Sequence, residues 1–542
     1  MNPNDSHNQG GYDQGVCFSV PSEEERFISI GKKATLLILC GICILFLVNV
    51  KRYNFISDDS FITLRYARNL VQGEGLVFNP GERVEGFTSM LWTLLLSLCG
   101  LIGIDLLAAA RILGVVAGLT TIILTYRLFY ALNASPVQSV LGLFAPLMLA
   151  VNGAFACWAG SGMETALFVC LTVGSYLMVL EERWVLATVL TSACILTRPE
   201  GMLVFGLLFL FQFIRAWGDK KRLWLGWLLA CGITASGLVA FRLFYFQDWL
   251  PNTFYAKTGG EWNQIIRGFR YLAEYCADYE GLLLMAAPVG YFLLVGELKS
   301  RFLAVTAVAL WGATVWVGGD GLPMYRFALA PLPFLLVLQG RLIKNLCRHV
   351  IKSSRYSPKK VGYGLVIVAL FWAVIHLSNP IVGSHYRLYE YQKKVEIPRW
   401  TLIGKLFKEN ASKQDSLAAV PIGAVSYYSE LYVYDMLGLT NKHIARLEIP
   451  QTEMGWTGHE KHDGQYILSQ KPTYLLLGNI DVTNKPRNPQ SRPFIPYFNK
   501  YIWEREKDMF ETDLIFKMYA PRSVEIAPDQ YLNFYELREE FR

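Results

Sequence analysis

The sequence predicts a polytopic α-helical membrane protein followed by a C-terminal α/β domain. Of its 542 residues, 53% are hydrophobic and only 18% are charged, whereas soluble proteins carry roughly 25% charged residues. Long apolar runs recur between residues 34 and 377, and the chain becomes mixed in polarity from about residue 393. The net charge of +7 comes from basic residues beside the apolar runs. That pattern is the orientation signal of membrane proteins, so it does not indicate nucleic acid.

The N-terminal segment, residues 1–32, is polar and rich in Asn, Gly and Glu. It lacks the apolar core and small-residue cleavage site of a signal peptide. We therefore expect a disordered cytoplasmic tail, followed by an uncleaved signal anchor that begins after Lys32 and Lys33.

The apolar runs predict eleven membrane spans, although several are shorter than the ~20 residues that a perpendicular span needs. The predicted spans are roughly 34–50, 107–131, 137–156, 165–180, 184–196, 201–214, 223–246, 281–296, 301–317, 325–340 and 362–378. Together they make up a predicted membrane domain over residues 33–379, with a first outer loop at 52–106.

Charge sets the predicted orientation of these spans. The loops Arg215–Arg222 and Arg341–Lys360 are strongly basic and should be cytoplasmic. With the N-terminus inside, eleven spans then put residues 380–542 outside. A further apolar segment, 90–104, would place the two basic loops on opposite sides if it spanned the membrane. We interpret it as a re-entrant or juxtamembrane helix, with an ordinary span as the alternative.

This topology collects the unusual polar motifs on the outer face. They are Asp58–Ser89, Ser161–Thr165, Thr197–Gly201, Pro251–Lys257 and Gly318–Arg326. Charged groups near the ends of membrane helices are costly and usually functional. The one-sided distribution therefore predicts an outward-facing active site.

The C-terminal region has the length of one small α/β domain. Leu402–Asn410 has the pattern of an amphipathic helix, and Ser416–Pro421, Tyr474–Gly478 and Tyr531–Leu537 have the pattern of short strands. None of the ten cysteines lies after Cys347, so no disulfide is expected there.

Two polar clusters stand out in this domain, at residues 434–443 and 458–463. His459 and His462 in the second cluster could bind a metal, although their spacing is not that of HExxH. Loop capping, domain docking and contact with a glycan are the other interpretations, and the sequence leaves them open.

Asp58 and Asp59 form an adjacent carboxylate pair just beyond the first apolar run. One carboxylate can act as a general base, while the other orients it, raises its pKa by repulsion, or holds a divalent cation. The structural alternative is a turn or N-cap for a helix that starts near Phe61.

The run DDSFITLRYARNLVQGEGLVFNPGERVEGFTSMLWTLLL at residues 58–96 resembles the membrane glycosyltransferases of the GT-C superfamily. Within that superfamily the chain looks most like the terminal β-(1→2)-arabinofuranosyltransferases of mycobacteria and their bacterial relatives. Shorter matches are SGMET, TRPEG, PNTFYAK, GGD followed by YRF, YDMLGLTNKHIA and GHEK. The resemblance extends over most of residues 34–480.

The resemblance implies a multi-span bundle in the bacterial inner membrane with a C-terminal periplasmic domain. It implies inverting transfer of a sugar, such as arabinofuranose, from polyprenyl phosphate to a cell-envelope glycan or lipopolysaccharide. It also implies that Asp58 or Asp59 is the catalytic base, with Asp58 favoured and Asp59 in support. A lipid-linked glycan transporter or flippase and a non-catalytic envelope assembly protein are the rival interpretations.

The chemistry of glycosyl transfer predicts roles for further outer residues. The leaving phosphate needs cations, and the candidates are Arg65, Arg198, Lys257 and Arg326. The candidates for contacts to the sugar or acceptor are Asn69, Asn79, Glu82, Glu85, Trp92, Glu164, Glu200, Asn252, Tyr255, Asp320 and His459. Structural alternatives are headgroup contacts for Arg65, an ion pair of Arg198 with Glu200, and an N-cap at Asp320. No metal or cofactor is predicted, with a divalent cation at the aspartate pair as the alternative.

Overall fold

The computed structural model describes residues 30–132, 140–216, 224–258, 261–279, 281–353, 358–378, 383–448, 458–492, 494 and 506–542. The predicted disordered tail therefore lies almost entirely outside the described residues.

Up to residue 378 the described chain is helical. The α-helices are α1 (Lys32–Tyr53), α2 (Asp58–Val71), α3 (Met90–Leu101), α4 (Leu106–Ala131), α5 (Phe144–Val151), α6 (Gly153–Gly160), α7 (Thr165–Leu180), α8 (Trp184–Thr197), α9 (Glu200–Arg215), α10 (Trp224–Phe241), α11 (Asn252–Lys257), α12 (Glu261–Asp278), α13 (Leu282–Val295), α14 (Leu298–Trp316), α15 (Leu332–Ser353) and α16 (Pro358–Ser378). A π-helix, Arg242–Phe246, extends α10, and 3₁₀ turns lie at Val140–Leu143 and Arg326–Ala328.

Each of the eleven predicted spans overlaps one of these helices. Among the described residues, five helices are long and apolar enough to cross a membrane, and the number rises to six if the pair bent by 60° between Val151 and Gly153 counts as one span. The protein is thus a multi-pass membrane protein, but helix length does not establish all eleven spans. Helix α3 has 12 residues and rises only about 18 Å, and the juxtamembrane position of residues 90–104 stays a prediction.

One predicted span has the wrong start. The apolar run suggested a helix from about residue 325, whereas α15 begins at Leu332. Met324 and Tyr325 have positive φ values of 61° and 53°, and Pro331 disfavours helical backbone at the residue before it. The segment before α15 is therefore a turn that ends in a 3₁₀ helix.

The core of the membrane domain lies where α4 to α7 meet α1 and α15. Side chains on α5, α6 and α7 are almost completely buried. Small residues allow the close approach, since a Cβ at Gly114 would lie 2.4 Å from the carbonyl oxygen of Ala159. Close backbone contact at small residues is typical of helix packing in membranes.

The C-terminal region folds around one mixed sheet. Its α-helices are α17 (Ser384–Tyr391), α18 (Ile397–Asn410), α19 (Ala424–Ser429), α20 (Lys442–Ala445), α21 (Gly464–Ser469) and α22 (Leu514–Met518). Its strands are β1 (Ser416–Ala419), β2 (Tyr432–Asp435), β3 (Tyr474–Leu476), β4 (Val482–Thr483), β5 (Tyr519–Ala527) and β6 (Gln530–Leu537).

The sheet is parallel at one end and antiparallel at the other. Strand β1 pairs in parallel with both β2 and β3, while β6 pairs antiparallel with β3, β4 and β5. Strand β2 forms one edge of the sheet. The three predicted strands and the predicted amphipathic helix are confirmed as β1, β3, β6 and α18, whereas β2, β4 and β5 were not predicted.

Candidate active site

A cavity of about 440 Å³ lies among the membrane helices and the first loop, and Leu439 is the residue of the C-terminal domain in its lining. Its wall comes from α2, the turn between α8 and α9, the end of α10 with its π-helix, α11, the end of α14 and the turn before α15. Its charged lining residues are Asp59, Glu164, Arg198, Glu200, Arg242, Lys257 and Arg326. Six of these seven belong to the set predicted from the sequence, and Arg242 is the exception.

The carboxylate of Asp59 lies beside a buried arginine. The Arg326 guanidinium forms a bidentate pair with Asp320, with Nε and Nη2 at 2.8 and 3.0 Å from the two carboxylate oxygens. Its Nη1 lies 3.8 Å from Oδ2 of Asp59. The side chain of Asp59 is 28% exposed, against 4% for Arg326 and for Asp320. Asp320 therefore holds Arg326, and Arg326 faces Asp59 at the cavity wall.

A second buried arginine joins the turns that precede α7 and α9. Arg198 donates from Nη1 to Glu164 at 2.7 Å and from Nη2 to Glu200 at 2.8 Å. The structural alternative considered for Arg198 and Glu200, an ion pair, is thus present in the structure. The same three side chains also line the cavity, so they present one positive and two negative groups to whatever occupies it.

Lys257, the last residue of α11, also lines the cavity and differs from the three arginines there. Each arginine has a carboxylate partner, which for Arg242 is Glu85 at 2.9 Å. In the part of the chain that the structure describes, no carboxylate oxygen lies within 4.0 Å of the Lys257 ammonium. Lys257 is therefore the lining cation whose charge is available to an anionic ligand.

Asp58 points away from the cavity, toward the C-terminal domain. Its Oδ2 accepts from the backbone N–H of Gly423 at 2.9 Å and its Oδ1 from that of Ala424 at 2.7 Å. The approach is so close that a Cβ at Gly423 would lie 2.1 Å from the carbonyl oxygen of Asp58. Burial raises the pKa of Asp58 to about 7, and the charge of Asp59 adds to this, although the two N–H donors oppose it. Of the two adjacent aspartates, Asp59 thus lines the cavity and Asp58 contacts the C-terminal domain.

Arg65 is also held by protein groups. It is 2% exposed and donates to the carbonyls of Phe78, Ser426 and Leu431 at 2.7 to 2.8 Å and to Oδ1 of Asn79 at 3.1 Å. Every one of these acceptors belongs to the first loop or to the C-terminal domain. The structure does not bring Arg65 to the cavity.

Two of the three predicted asparagines, Asn79 and Asn252, bond to the C-terminal domain, and the third shapes the first loop. Asn69 donates to the carbonyls of Val77 and Phe78 within the first loop. Asn79 pairs with the backbone N–H and carbonyl of Val433, at 3.1 and 3.0 Å, on strand β2. Asn252 donates to the carbonyls of residues 438, 439 and 441. We call this surface, which includes Asp58 and Arg65, the docking seam.

The other predicted residues lie off the cavity as well. Trp92 is fully buried and donates to the carbonyl of Gly162. Burial raises the pKa of Glu85 to about 7 against the opposing effect of Arg242. Glu82 accepts from the hydroxyl of Tyr432 at 3.0 Å. The ring of Tyr255 lies 4.8 Å from the guanidinium of Arg446, and the N–H of His459 donates to Glu460.

Sequence reasoning missed Arg242, although a signal was present. It is a charged residue inside the otherwise apolar run 224–246, and such charges are costly unless they have a role. It also missed the aromatic rim of the cavity, in which Trp249 and Trp316 are each 66% exposed and Phe254 is 41% exposed. Among the described residues, no group of three or more His, Cys, Asp and Glu side chains could hold a metal ion.

Residues 384–531 match the model of a family described as a domain of unknown function, DUF8728. Over 271 residues the chain is 30% identical to a terminal β-(1→2)-arabinofuranosyltransferase of Mycobacterium tuberculosis, which covers 46% of this chain and 42% of that protein. Over 48 residues it is 54% identical to the enzyme of the same name from Corynebacterium glutamicum, covering 9% of this chain and 7% of that one. The chain thus spans less than half the length of these relatives.

Among solved structures, ArnT from Cupriavidus metallidurans bound to undecaprenyl phosphate aligns with 78% of this chain and 87% of its own, at 10% identity and a TM-score of 0.49. The similarity to the two arabinofuranosyltransferases confirms the resemblance predicted from the sequence motifs: this chain is a relative of the terminal β-(1→2)-arabinofuranosyltransferases.

Proposed function

We propose that this protein is a GT-C glycosyltransferase that moves a sugar from a polyprenyl-phosphate carrier to a glycan of the cell envelope. Arabinofuranose is the first candidate sugar, and the proposed location is the bacterial inner membrane with the cavity and the C-terminal domain in the periplasm. One observation carries the proposal. The cavity joins a partly exposed carboxylate, Asp59, to a lysine that has no carboxylate partner among the described residues, inside an aromatic rim.

In the proposed reaction Asp59 is the general base. It accepts the proton of an acceptor hydroxyl as that oxygen bonds to the anomeric carbon, and the bond from the anomeric carbon to the phosphate oxygen breaks. Attack from the face opposite the leaving group inverts the configuration. The products are the extended glycan, polyprenyl phosphate and a proton held by Asp59, so atoms and charge balance.

Lys257 is proposed to bind the leaving phosphate, because an ammonium without a carboxylate partner can neutralise the charge that develops there. Arg326, which Asp320 holds in place, orients Asp59. Arg198 keeps Glu164 and Glu200 in position to accept from sugar hydroxyls. The exposed rings of Trp249, Phe254 and Trp316 are proposed to contact the lipid chain.

The test is transfer of label from synthetic polyprenyl-phospho-arabinofuranose in membranes that contain the wild type, Asp59→Asn or the exposed control Glu409→Gln. We expect transfer by the wild type and the control, and a loss of about 10²–10⁴-fold in Asp59→Asn, which is the usual contribution of a general base. If arabinofuranose is not transferred, polyprenyl-linked mannose and aminoarabinose are tested next.

Absence of transfer from all three donors would overturn the proposal. Movement of intact labelled carrier across the membrane without transfer would favour the flippase instead. Equal transfer by the wild type and Asp59→Asn would support the assignment as an enzyme but would show that Asp59 is not its general base.

A further inference from the structure

Strand β2 exposes tyrosines along one side of the C-terminal domain. Tyr432 and Tyr434 alternate with the buried residues Val433 and Asp435, so their rings lie on the same face. The ring centroids are 4.9 Å apart, and both side chains are half-buried. Strand β2 is the edge strand of the sheet, so no further strand lies beside these rings.

A second pair of rings continues the row. His443 stacks on Tyr466 with centroids 4.1 Å apart and an interplanar angle of 23°. Tyr434 and Tyr466 pack against the rim of the same hydrophobic core, and their phenols interact electrostatically. We call Tyr432, Tyr434, Tyr466 and His443 the aromatic strip.

Polar groups accompany the rings. The hydroxyl of Tyr432 donates to Glu82, and Nε2 of His443 lies 2.8 Å from Oδ2 of Asp463. Both acceptors are partly accessible, since the side chain of Asp463 is 28% exposed and Glu82 is half-buried.

Such a surface suits a particular class of ligand. Flat rings contact the apolar C–H face of a sugar, and carboxylates accept hydrogen bonds from its hydroxyls. The two acidic side chains, Glu82 and Asp463, would repel a phosphorylated or otherwise anionic chain. The strip therefore fits an uncharged glycan better than nucleic acid or anionic lipopolysaccharide.

The strip is connected to the cavity through the chain itself. Leu439, which lies between Tyr434 and His443 in the sequence, lines the cavity. Asn252 of α11 holds this loop by donating to the carbonyls of residues 438, 439 and 441. Helix α20, which carries His443, packs against α11, and α11 lines the cavity, so a polymer lying along the strip would have one end near the cavity wall.

We propose that the aromatic strip binds an uncharged, linear acceptor glycan, several sugars back from the end that reacts. The proposal rests on the proposed function for its orientation, and it adds the substrate class and a binding surface on the C-terminal domain. It predicts that affinity depends on acceptor length, because a short acceptor reaches the cavity without touching the strip.

The experiment measures binding without any donor, so it succeeds or fails independently of sugar transfer. Purified full-length protein in detergent is titrated calorimetrically with a linear arabinofuranosyl hexasaccharide and with the corresponding disaccharide. We expect the wild type to bind the hexasaccharide at least tenfold more tightly than the disaccharide. We expect His443→Ala and Tyr434→Ala each to weaken hexasaccharide binding about tenfold or more.

His443→Ala is the variant that spares the core, since its ring is largely exposed, and thermal unfolding of each variant checks that the domain is folded. Tyr531→Ala is the matched control, because Tyr531 is a half-buried strand tyrosine on β6, away from the strip. No saturable binding by the wild type, equal affinity for both oligosaccharides, or wild-type affinity in folded His443→Ala and Tyr434→Ala would overturn the proposal.

Discussion

The cavity wall and the docking seam both contain carboxylates and basic side chains, but the polar atoms of these residues face different partners in the two regions. In the seam, Asp58 and Arg65 direct their polar atoms at backbone groups of the C-terminal domain. In the cavity wall, Asp59 and Lys257 face open volume. A buried polar group that has protein partners stabilises the fold, whereas one that faces a cavity is available to a ligand. Neighbouring residues of one motif can therefore have different roles.

The two regions are coupled because Asp58 and Asp59 are consecutive. The first turn of α2 presents one carboxylate to α19 and the other to the cavity. The C-terminal domain thereby helps to position the cavity carboxylate. Substitutions in the cavity wall should therefore impair activity directly, and those in the seam should act through docking.

The largest effect on stability is expected at Arg326. Arg326→Gln leaves Asp320 buried beside Asp59 without its cation, and breaking a buried pair in this way costs about 3–5 kcal/mol. Thermal unfolding in detergent measures the loss. The double variant Arg326→Gln/Asp320→Asn should recover much of the stability without recovering activity, and recovery of both would show that Arg326 acts only as a structural residue.

The next largest effect, a loss of donor affinity, is expected at Lys257. Lys257→Met removes the proposed phosphate partner, and a hydrogen bond to a charged group contributes about 1.5–3 kcal/mol. Donor affinity should fall roughly 10- to 100-fold, while thermal stability stays near that of the wild type. The exposed Lys413→Met is the control, and an unchanged KM for the donor in Lys257→Met would place the phosphate elsewhere.

A seam substitution should have a smaller effect that acts through docking. Gly423→Ala places a methyl group against Asp58, and overpacking of this kind costs about 1–3 kcal/mol. Limited proteolysis should release the C-terminal domain faster than in the wild type. Gly312→Ala, where no atom lies within 4 Å of the new methyl group, should leave the cleavage rate unchanged, and equal rates in both variants would contradict the tight contact.

A further prediction concerns the pH dependence of stability. An unfolded aspartate titrates near roughly pH 3.9, whereas folded Asp58 titrates near pH 7. Between these values the folded chain binds the extra proton, so the free energy of unfolding falls as pH rises across that window. Asp58→Asn should flatten this slope in thermal unfolding measured from about pH 5 to about pH 8. Identical slopes would indicate that Asp58 is not buried in solution.

Much of the helical architecture follows from apolar runs, because a span must be long and apolar whatever it packs against. Six of the charged residues that line the cavity were predicted because each is a charged group close to the end of a predicted membrane helix. The resemblance favoured Asp58 as the base, whereas the proposal gives that role to Asp59. Both residues begin α2, and only the contact of Asp58 with residues 423 and 424 separates them. Strand β2 was missed because the pairing that defines it is not local in sequence. Its residues pair with β1, and Val433 also pairs with Asn79, which is far away in sequence.

In this proposal Asp59 performs the chemistry and Asp58 holds the C-terminal domain in place. The most direct test measures donor affinity and single-turnover transfer for Asp58→Asn and Asp59→Asn in the same detergent preparation. We expect Asp59→Asn to keep donor affinity and to lose about 10²–10⁴-fold in transfer rate, with normal resistance to proteolysis. Asp58→Asn should lose far less transfer and release its C-terminal domain faster. The reverse pattern, with transfer abolished in Asp58→Asn and retained in Asp59→Asn, would contradict this assignment.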